Sequence, residues 1–148
     1  MRKKKVAIAG ATGFVGRWFI ERYKSKYDII ALSRRKVDGK DNDVHWRVVD
    51  LFSISSSIEA LKDVDYAVYL VHSMQPSTRL NQASFEDTDL LLADNFSRAA
   101  SVCKVKQIIY LGGILPKDDK RLSKHLKSRY EVEPVSYTHL TLPTTSFV

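Results

Sequence analysis

The sequence predicts an α/β fold, in which helices connect the strands of a doubly wound parallel sheet. Short apolar runs typical of strands buried on both faces alternate with segments of helical periodicity. A glycine-rich turn joins the first apolar run to the first helical segment. The predicted strands are residues 6–9, 28–32, 44–49, 66–71 and 107–111, and we expect them in the sheet order 3-2-1-4-5.

The first predicted strand and helix flank the glycine turn. Val6 to Ala9 form the apolar run, Gly10, Gly13 and Gly16 follow at three-residue intervals, and helical periodicity begins at Phe14. Glycines allow the backbone to turn tightly and approach a diphosphate, and a helix N-terminus presents unpaired N–H groups to its charges. We therefore predict a dinucleotide site, and a tight turn without a ligand is the alternative. The predicted phosphate-binding residues are Gly10, Thr12, Gly13, Phe14, Val15 and Gly16.

The turn reads GATGFVGR, and this string resembles the short-chain dehydrogenase/reductase superfamily in its extended and atypical branches. The resemblance covers about residues 5–133. It implies a Rossmann-type fold with NAD or NADP as the cofactor. It does not by itself imply catalysis, because some atypical members of that superfamily only sense the dinucleotide.

The second predicted strand ends in Ser33, Arg34 and Arg35. This point lies about 20 residues past the glycines, where an acidic side chain would hold the ribose 2′-hydroxyl of NAD. Residues 33–37 contain no Asp or Glu, and two guanidinium groups suit a 2′-phosphate. We therefore predict NADP as the preferred cofactor, with NAD as the alternative, and Arg34 as the leading contact. A basic surface loop is the competing interpretation.

The third predicted strand ends in Asp50 and Leu51. In the resembled superfamily an Asp and an aliphatic residue here lie beside the adenine ring. The resemblance therefore implies that Asp50 accepts a hydrogen bond from the exocyclic amine and that Leu51 covers the ring. The alternative for Asp50 is to cap the following helix. We expect that helix to run to Leu61, and Ser55, Ser56 or Ser57 can also cap it.

The fourth predicted strand leads into His72 and Ser73. Ligands of doubly wound sheets bind at the carboxyl ends of strands beside the topological switch point. We therefore expect Leu70, Val71, His72 and Ser73 to line the ribose and nicotinamide side of the site. The string YLVHSM resembles an atypical subgroup of the same superfamily. A loop histidine bonded to backbone is the alternative for His72.

A long helix is predicted from Ser84, followed by the fifth strand and then Gly112 and Gly113. The helix is indicated by apolar side chains that recur at three- and four-residue steps. Its expected buried face comprises Phe85, Thr88, Leu92, Phe96, Ala99 and Ala100, widened by Leu90, Leu91 and Val102.

The catalytic residues of the resembled superfamily are largely missing from this chain. That superfamily has a Ser or Thr at the end of the fifth strand, and Tyr-x-x-x-Lys on the next helix. Here the strand ends in Gly112-Gly113, and the nearest match to the second motif is His125 with Arg129. That spacing puts two side chains on one helix face, and His can donate a proton near neutral pH. A solvated basic helix is the alternative.

Composition indicates an ordinary globular domain with a basic surface. Lys and Arg total 24 against 17 Asp and Glu, which gives a net charge of +7. The basic runs are interpreted as solvated surface rather than a nucleic-acid site, because no aromatic stacking platform accompanies them. No apolar window reaches the roughly 18 residues of a membrane helix. The apolar stretch after the basic leader is interrupted by Gly10, Thr12 and Gly13, which argues against a signal peptide. The single Cys103 cannot form an internal disulfide, so we expect a cytoplasmic protein.

The C-terminal stretch has a different composition from the rest of the chain. Residues 135–148 contain no Lys, Arg, Asp or Glu and show no helical period. The string VSYTHLTLPT resembles the in-frame translation of a transposon-type sequencing adapter. We therefore expect an incomplete dinucleotide-binding domain at residues 1–134, truncated before a sixth strand, and a disordered non-native tail at 135–148. The open edge of the fifth strand would favour self-association.

These patterns leave two functions open. The intact parent is expected to be an NADP-dependent oxidoreductase or epimerase-like enzyme that acts on an unknown small molecule, with the present piece inactive alone. The alternative, favoured by the missing Ser and Tyr, is a non-catalytic NADP(H) sensor or assembly subunit.

Overall fold

The computed structural model describes residues 2–39, 41–71, 84–111 and 145–147, with side chains described outside 84–87 and 145–147. From β1 to β5 strands and helices alternate, except that β3 follows β2 without an intervening helix. The elements are β1 (Lys5–Ala9), α1 (Phe14–Tyr23), β2 (Asp28–Ser33), β3 (Val44–Val48), α2 (Ile54–Ala60), β4 (Tyr66–Tyr69), α3 (Ser84–Val102), β5 (Gln107–Leu111) and β6 (Thr145–Phe147).

All described strands pair in parallel in the order β3-β2-β1-β4-β5-β6. The predicted α/β fold and the order 3-2-1-4-5 are confirmed. Parallel strands need crossover connections, and α1, α2 and α3 supply three of them, on both faces of the sheet. The carboxyl ends of β1, β2, β3 and β4 therefore lie at one edge of the sheet, which we call the carboxyl edge.

The core consists of two apolar layers, one on each face of the sheet. Alternate residues of β1 separate between them: Ala7 and Ala9 join the layer beneath α2 and α3, while Val6 and Ile8 join the layer beneath α1. Successive side chains of a strand point to opposite faces, so an unbroken apolar run fills both layers. The helices supply Phe96 on one side and Ile20 on the other, each at most 6% exposed.

Two details of the helices differ from the sequence prediction. Ser53, rather than a serine of residues 55–57, caps α2, and its side chain accepts a hydrogen bond from the N–H of Ser56. On α3, Leu92 and Phe96 are buried as expected, but Leu91 and Val102 are 46% and 63% exposed. The apolar face of α3 is narrower than predicted because the helix contacts the sheet and α2 along one stripe.

The sixth strand was not predicted. We expected disorder throughout residues 135–148, but Thr145–Phe147 pairs with Ile109, Tyr110 and Leu111 of β5. The edge of β5 that was expected to be open is therefore covered along these residues. An unpaired strand edge presents N–H and C=O groups that an extended segment can satisfy, whatever its side chains. Backbone pairing of this kind leaves little signal in the sequence.

Candidate dinucleotide site at the carboxyl edge

Backbone hydrogen bonds align the strand ends that carry the predicted site residues. The N–H of Leu70 donates to the carbonyl oxygen of Ala9 at 2.9 Å, immediately before Gly10. The N–H of Val49 donates to the carbonyl oxygen of Ser33 at 2.8 Å. The glycine turn therefore lies against the end of β4, and the end of β2 lies beside the end of β3.

Gly10 makes the sharp turn out of β1. Its φ is +86°, in the left-handed region that side chains disfavour. A Cβ at this position would also lie 2.9 Å from the backbone carbonyl carbon and oxygen of Leu70. Both the backbone conformation and the contact with β4 therefore require glycine.

Gly16 and Gly13 serve different purposes. A Cβ at Gly16 would overlap the carbonyl oxygen of Gly10 and lie 2.8 Å from the Cα of Ala11, so α1 packs against the turn only without a side chain there. At Gly13 the φ of −75° is open to any residue, and a Cβ would meet only the Gly10 oxygen at 3.4 Å. Neither conformation nor packing requires glycine at this position. The open space beside Gly13 fits close approach of a diphosphate, the second of the three glycine roles in dinucleotide turns.

The N-terminus of α1 is suited to an anion. Gly13 is its N-cap, without a side-chain cap hydrogen bond, and no acidic residue occupies the first turn. The first bond of the helix runs from the N–H of Arg17 to the carbonyl of Gly13 at 3.0 Å. The N–H groups of Phe14, Val15 and Gly16 therefore precede the helical bonding pattern and can face a ligand. Thr12, Phe14 and Val15 are exposed.

The end of β2 presents two guanidinium groups to solvent. Arg34 and Arg35 are exposed, and neither side chain makes an ion pair with another described residue. Ser33 is 9% exposed, and its hydroxyl donates to the carbonyl of Arg35 and accepts from the Arg35 N–H at 3.1 Å. The Ser33 hydroxyl therefore holds the turn that projects the arginines, and its proton is engaged by the backbone.

The end of β3 holds Asp50 in a defined conformation. The Oδ1 of Asp50 accepts from the N–H of Phe52 at 3.0 Å, and the Asp50 N–H donates to the Oγ of Ser56 at 2.9 Å. Asp50 is exposed, and because Ser53 caps α2, the alternative cap role for Asp50 is wrong. The second carboxylate oxygen has no hydrogen bond to a described residue, so it can accept one from a ligand.

Leu51 is placed differently from its neighbour. It is 9% exposed within the layer beneath α2 and α3, and its carbonyl accepts from the Nδ2 of Asn95 at 2.9 Å. Most of the Leu51 side chain therefore packs in the core.

Two residues that hold the end of β3 were not predicted in that role. Asn95 bonds to the Leu51 carbonyl but lies in a helical stretch with nothing to mark it. Ser56, which bonds to the Asp50 N–H, was assigned only as a helix cap.

The remaining predicted residues divide into two groups. Leu70 and Val71 are half-buried at the end of β4, next to the glycine turn. His72, Ser73, His125 and Arg129 lie outside the described residues, as do Gly112 and Gly113. The structure therefore brings the glycine turn, the arginine pair, Asp50 and the end of β4 to one edge of the sheet, whereas the catalytic pair stays a prediction.

Residues 6–138 match the family described as NAD dependent epimerase/dehydratase. The chain belongs to this family. The resemblance inferred from the glycine turn is thereby confirmed, and the chain carries the NAD-binding domain of epimerases and dehydratases of this family. The order of the strands is that of a Rossmann-type sheet.

One curated relative shares sequence with this chain, and several solved structures share its fold. The chain is 34% identical over 113 residues to the auxiliary protein GraX of Staphylococcus aureus, covering 75% of this chain and 37% of that protein. UDP-N-acetylglucosamine 4-epimerase of Bacillus cereus has 24% identity and a TM-score of 0.76 over 97% of this chain and 52% of its own. The Bordetella bronchiseptica enzyme WbmG, solved with NAD, has 14% identity and a TM-score of 0.77 over 99% and 52%. The epimerase-family chain thus spans about a third to a half of these proteins.

The described residues contain neither a cluster of metal ligands nor a helix suited to span a membrane. No group of three or more His, Cys, Asp or Glu side chains there could hold a metal ion. Within the same ranges, no helix combines the length and apolar character needed to cross a bilayer.

Proposed function

We propose that this chain is the cofactor-binding part of an NADP-preferring protein of the epimerase/dehydratase family. The N–H groups at the start of α1 and the space beside Gly13 would hold the diphosphate. Arg34 and Arg35 would hold the 2′-phosphate, and the free oxygen of Asp50 would accept from the adenine amine. When bound, the cofactor supplies hydride transfer, and the chain binds and orients it.

The observation that carries the preference for NADP is the pair of exposed arginines at the end of β2. A 2′-phosphate adds negative charge and acceptor oxygens, which guanidinium groups bind through paired hydrogen bonds. Residues 33–37 contain no carboxylate to repel that phosphate or to hold a 2′-hydroxyl. The hydrogen bonds from Ser33 fix the turn from which both arginines project, which supports a prepared site.

The test is a titration of the 148-residue chain with NADPH and NADH, followed by the fluorescence of Trp18 and Trp46. We expect tighter binding of NADPH, and the preference should shrink in high salt because it is largely electrostatic. Equal affinities would overturn the proposed preference. Binding of neither nucleotide would overturn the proposed site as well.

For the intact parent we propose an oxidoreductase or epimerase-like activity on a small molecule, with His125 and Arg129 as the acid–base pair. A histidine can exchange a proton near neutral pH, and an arginine one turn away can orient an oxyanion. The test is NADPH oxidation by the longer protein with a panel of aldehydes, ketones and nucleotide sugars. Turnover that survives His125→Ala would remove this residue from the mechanism.

We also propose a cytoplasmic location, since the lone Cys103 requires no oxidising compartment.

A second candidate is a non-catalytic NADP(H) sensor or assembly subunit. Two observations favour it: Gly112-Gly113 stands where the superfamily has a hydroxyl, and the relative in S. aureus is named an auxiliary protein. Tight NADPH binding by the longer protein, without turnover of any substrate in the panel, would support the sensor.

A further inference from the structure

The edge of the sheet opposite the dinucleotide site is strongly basic. We use the name amino edge for the surface formed by Arg2, Lys3, Lys4, Lys26, Lys104 and Lys106. Three backbone hydrogen bonds place the segments that carry these residues next to one another. They run from Asp28 N–H to the Lys4 carbonyl, from Asp65 N–H to the Lys5 carbonyl and from Lys106 N–H to the Asp65 carbonyl, at 3.0, 3.0 and 2.9 Å.

The six basic side chains of the amino edge outnumber the acidic ones beside them, Asp28, Asp63 and Asp65. Lys3, Lys4, Lys26 and Lys104 are exposed and make no ion pair with a described residue. Asp65 sits among them, but its side chain is only 11% exposed. It accepts from the N–H of Lys5 at 2.9 Å and pairs with Arg2 at 3.2 Å and with Lys106 at 4.0 Å, so it offsets part of the charge of these two residues only.

The shape and composition of this edge favour a flat anionic partner. The starts of four neighbouring strands, β2, β1, β4 and β5, extend over about 15 Å, and no helix of the described residues begins there. Among the described residues, the exposed aromatic side chains of Phe14 and Phe52 lie at the carboxyl edge and that of Trp18 lies within α1. Tyr27, whose ring lies under the ammonium group of Lys26 at the amino edge, is half-buried. Lysine ammonium groups act as point charges, each contributing about 1 kcal/mol near an anionic lipid surface.

We propose that the amino edge docks the protein on the surface of an anionic lipid bilayer. The dinucleotide site then faces away from the membrane, so cofactor and lipid can be bound together. This peripheral, electrostatic contact depends on neither the cofactor preference nor the catalytic pair.

The first test is co-sedimentation of the 148-residue chain with vesicles of phosphatidylcholine alone or mixed with phosphatidylglycerol. We expect binding to the mixed vesicles only, and its loss in high salt. Lys3→Glu with Lys4→Glu and Lys104→Glu should weaken it by more than about tenfold. The matched control reverses the same amount of charge at the opposite edge, by Arg34→Glu with Arg35→Glu and Lys36→Glu, and should still bind.

Equal weakening by the two triple variants would overturn the proposal, because net charge rather than the amino edge would then govern binding. Absence of binding to phosphatidylglycerol at low salt would overturn it too. Tighter binding to duplex DNA or to single-stranded RNA than to these vesicles would assign the edge to nucleic acid instead.

A second measurement needs no variant. Amine-reactive acetylation of the vesicle-bound chain should spare Lys3, Lys4, Lys104 and Lys106, while Lys36 at the carboxyl edge should react as it does in free protein. Equal protection of Lys36 and the amino-edge lysines would contradict the proposed orientation.

Discussion

The backbone N–H of Val49 donates a hydrogen bond to the carbonyl oxygen of Ser33, 2.8 Å away. This bond lies one residue before Arg34 on one strand and one residue before Asp50 on the next. It therefore sets the Arg34–Arg35 pair beside Asp50. The sequence predicts that the arginines bind the 2′-phosphate and that Asp50 binds the adenine of one nucleotide. This arrangement is the one on which the proposed binding of a 2′-phosphate and an adenine ring at neighbouring positions rests.

The arginine pair should determine which dinucleotide binds. Arg34→Asp combined with Arg35→Asp should weaken NADPH binding roughly tenfold to hundredfold, the loss expected for one or two charged hydrogen bonds. NADH binding should change little or improve, because a carboxylate can hold a 2′-hydroxyl. Isothermal titration calorimetry with both nucleotides measures this switch.

A matched control separates local from general electrostatics. Arg22→Asp with Lys26→Asp reverses the same charge at exposed positions away from the carboxyl edge. If this variant loses NADPH affinity as strongly as the arginine variant does, the 2′-phosphate contact is refuted.

Gly13→Ala should impair binding but not folding. The new methyl group would meet only the Gly10 oxygen at 3.4 Å, so the free energy of unfolding should fall by less than about 1 kcal/mol. The methyl group would occupy the space proposed for the diphosphate, and affinity for NADPH and NADH should fall together by at least roughly tenfold. Unchanged affinity would show that the turn does not approach the diphosphate here.

Gly16→Ala should produce the opposite pattern, with loss of stability first. A Cβ there would overlap the Gly10 carbonyl oxygen and crowd Ala11, so the helix must shift from the turn. Overpacking of this kind costs about 1–3 kcal/mol, which outweighs the benefit of alanine within a helix. Urea unfolding of the two alanine variants compares them directly, and equal stability would contradict the packing role of Gly16.

Asp65 should make the protein sensitive to acid. The N–H of Lys5 is the main cause that holds the pKa of Asp65 below its ordinary value of 3.8, with help from the charges of Arg2, Lys4 and Lys106. Because the folded pKa is depressed, this carboxylate stabilises the fold above pH 3.8, and the contribution is lost as pH falls through the folded pKa.

The variant Asp65→Asn tests this link by keeping an acceptor for the Lys5 N–H and removing the charge. It should be less stable than the parent near pH 7, and the two unfolding free energies should converge below the folded pKa. A constant difference between them down to the most acid pH would mean that the charge plays no part.

The fold was largely predictable because its signal is local and repeated. The fifth strand was predicted at residues 107–111 and is observed there, and the other boundaries moved by one or two residues. Apolar runs that must fill both faces of a sheet leave few alternatives. The pairing of β6 with the edge of β5 was harder to predict, because it depends on backbone groups rather than on a side-chain pattern.

The position of the candidate site was predictable, but its contacts were not. Gly10, Gly13 and Gly16 were assigned together, yet only the structure shows that the turn and the packing require Gly10 and Gly16, whereas neither requires Gly13. Ser33 and Leu51 were expected to face the cofactor, but one is engaged by the Arg35 backbone and the other packs in the core. The Ser33 hydrogen bonds depend on the backbone conformation of the turn, and the burial of Leu51 depends on residues that are distant in the chain.

By itself the sequence determined the sheet, its glycine turn and the basic character of the segment after β2, because periodicity and residue type act over a few neighbouring positions. The tertiary structure alone decided which atoms remain free at the carboxyl edge and which charges gather at the amino edge. Those outcomes follow from hydrogen bonds such as Val49 to Ser33 and Lys106 to Asp65, which join strands far apart in the chain.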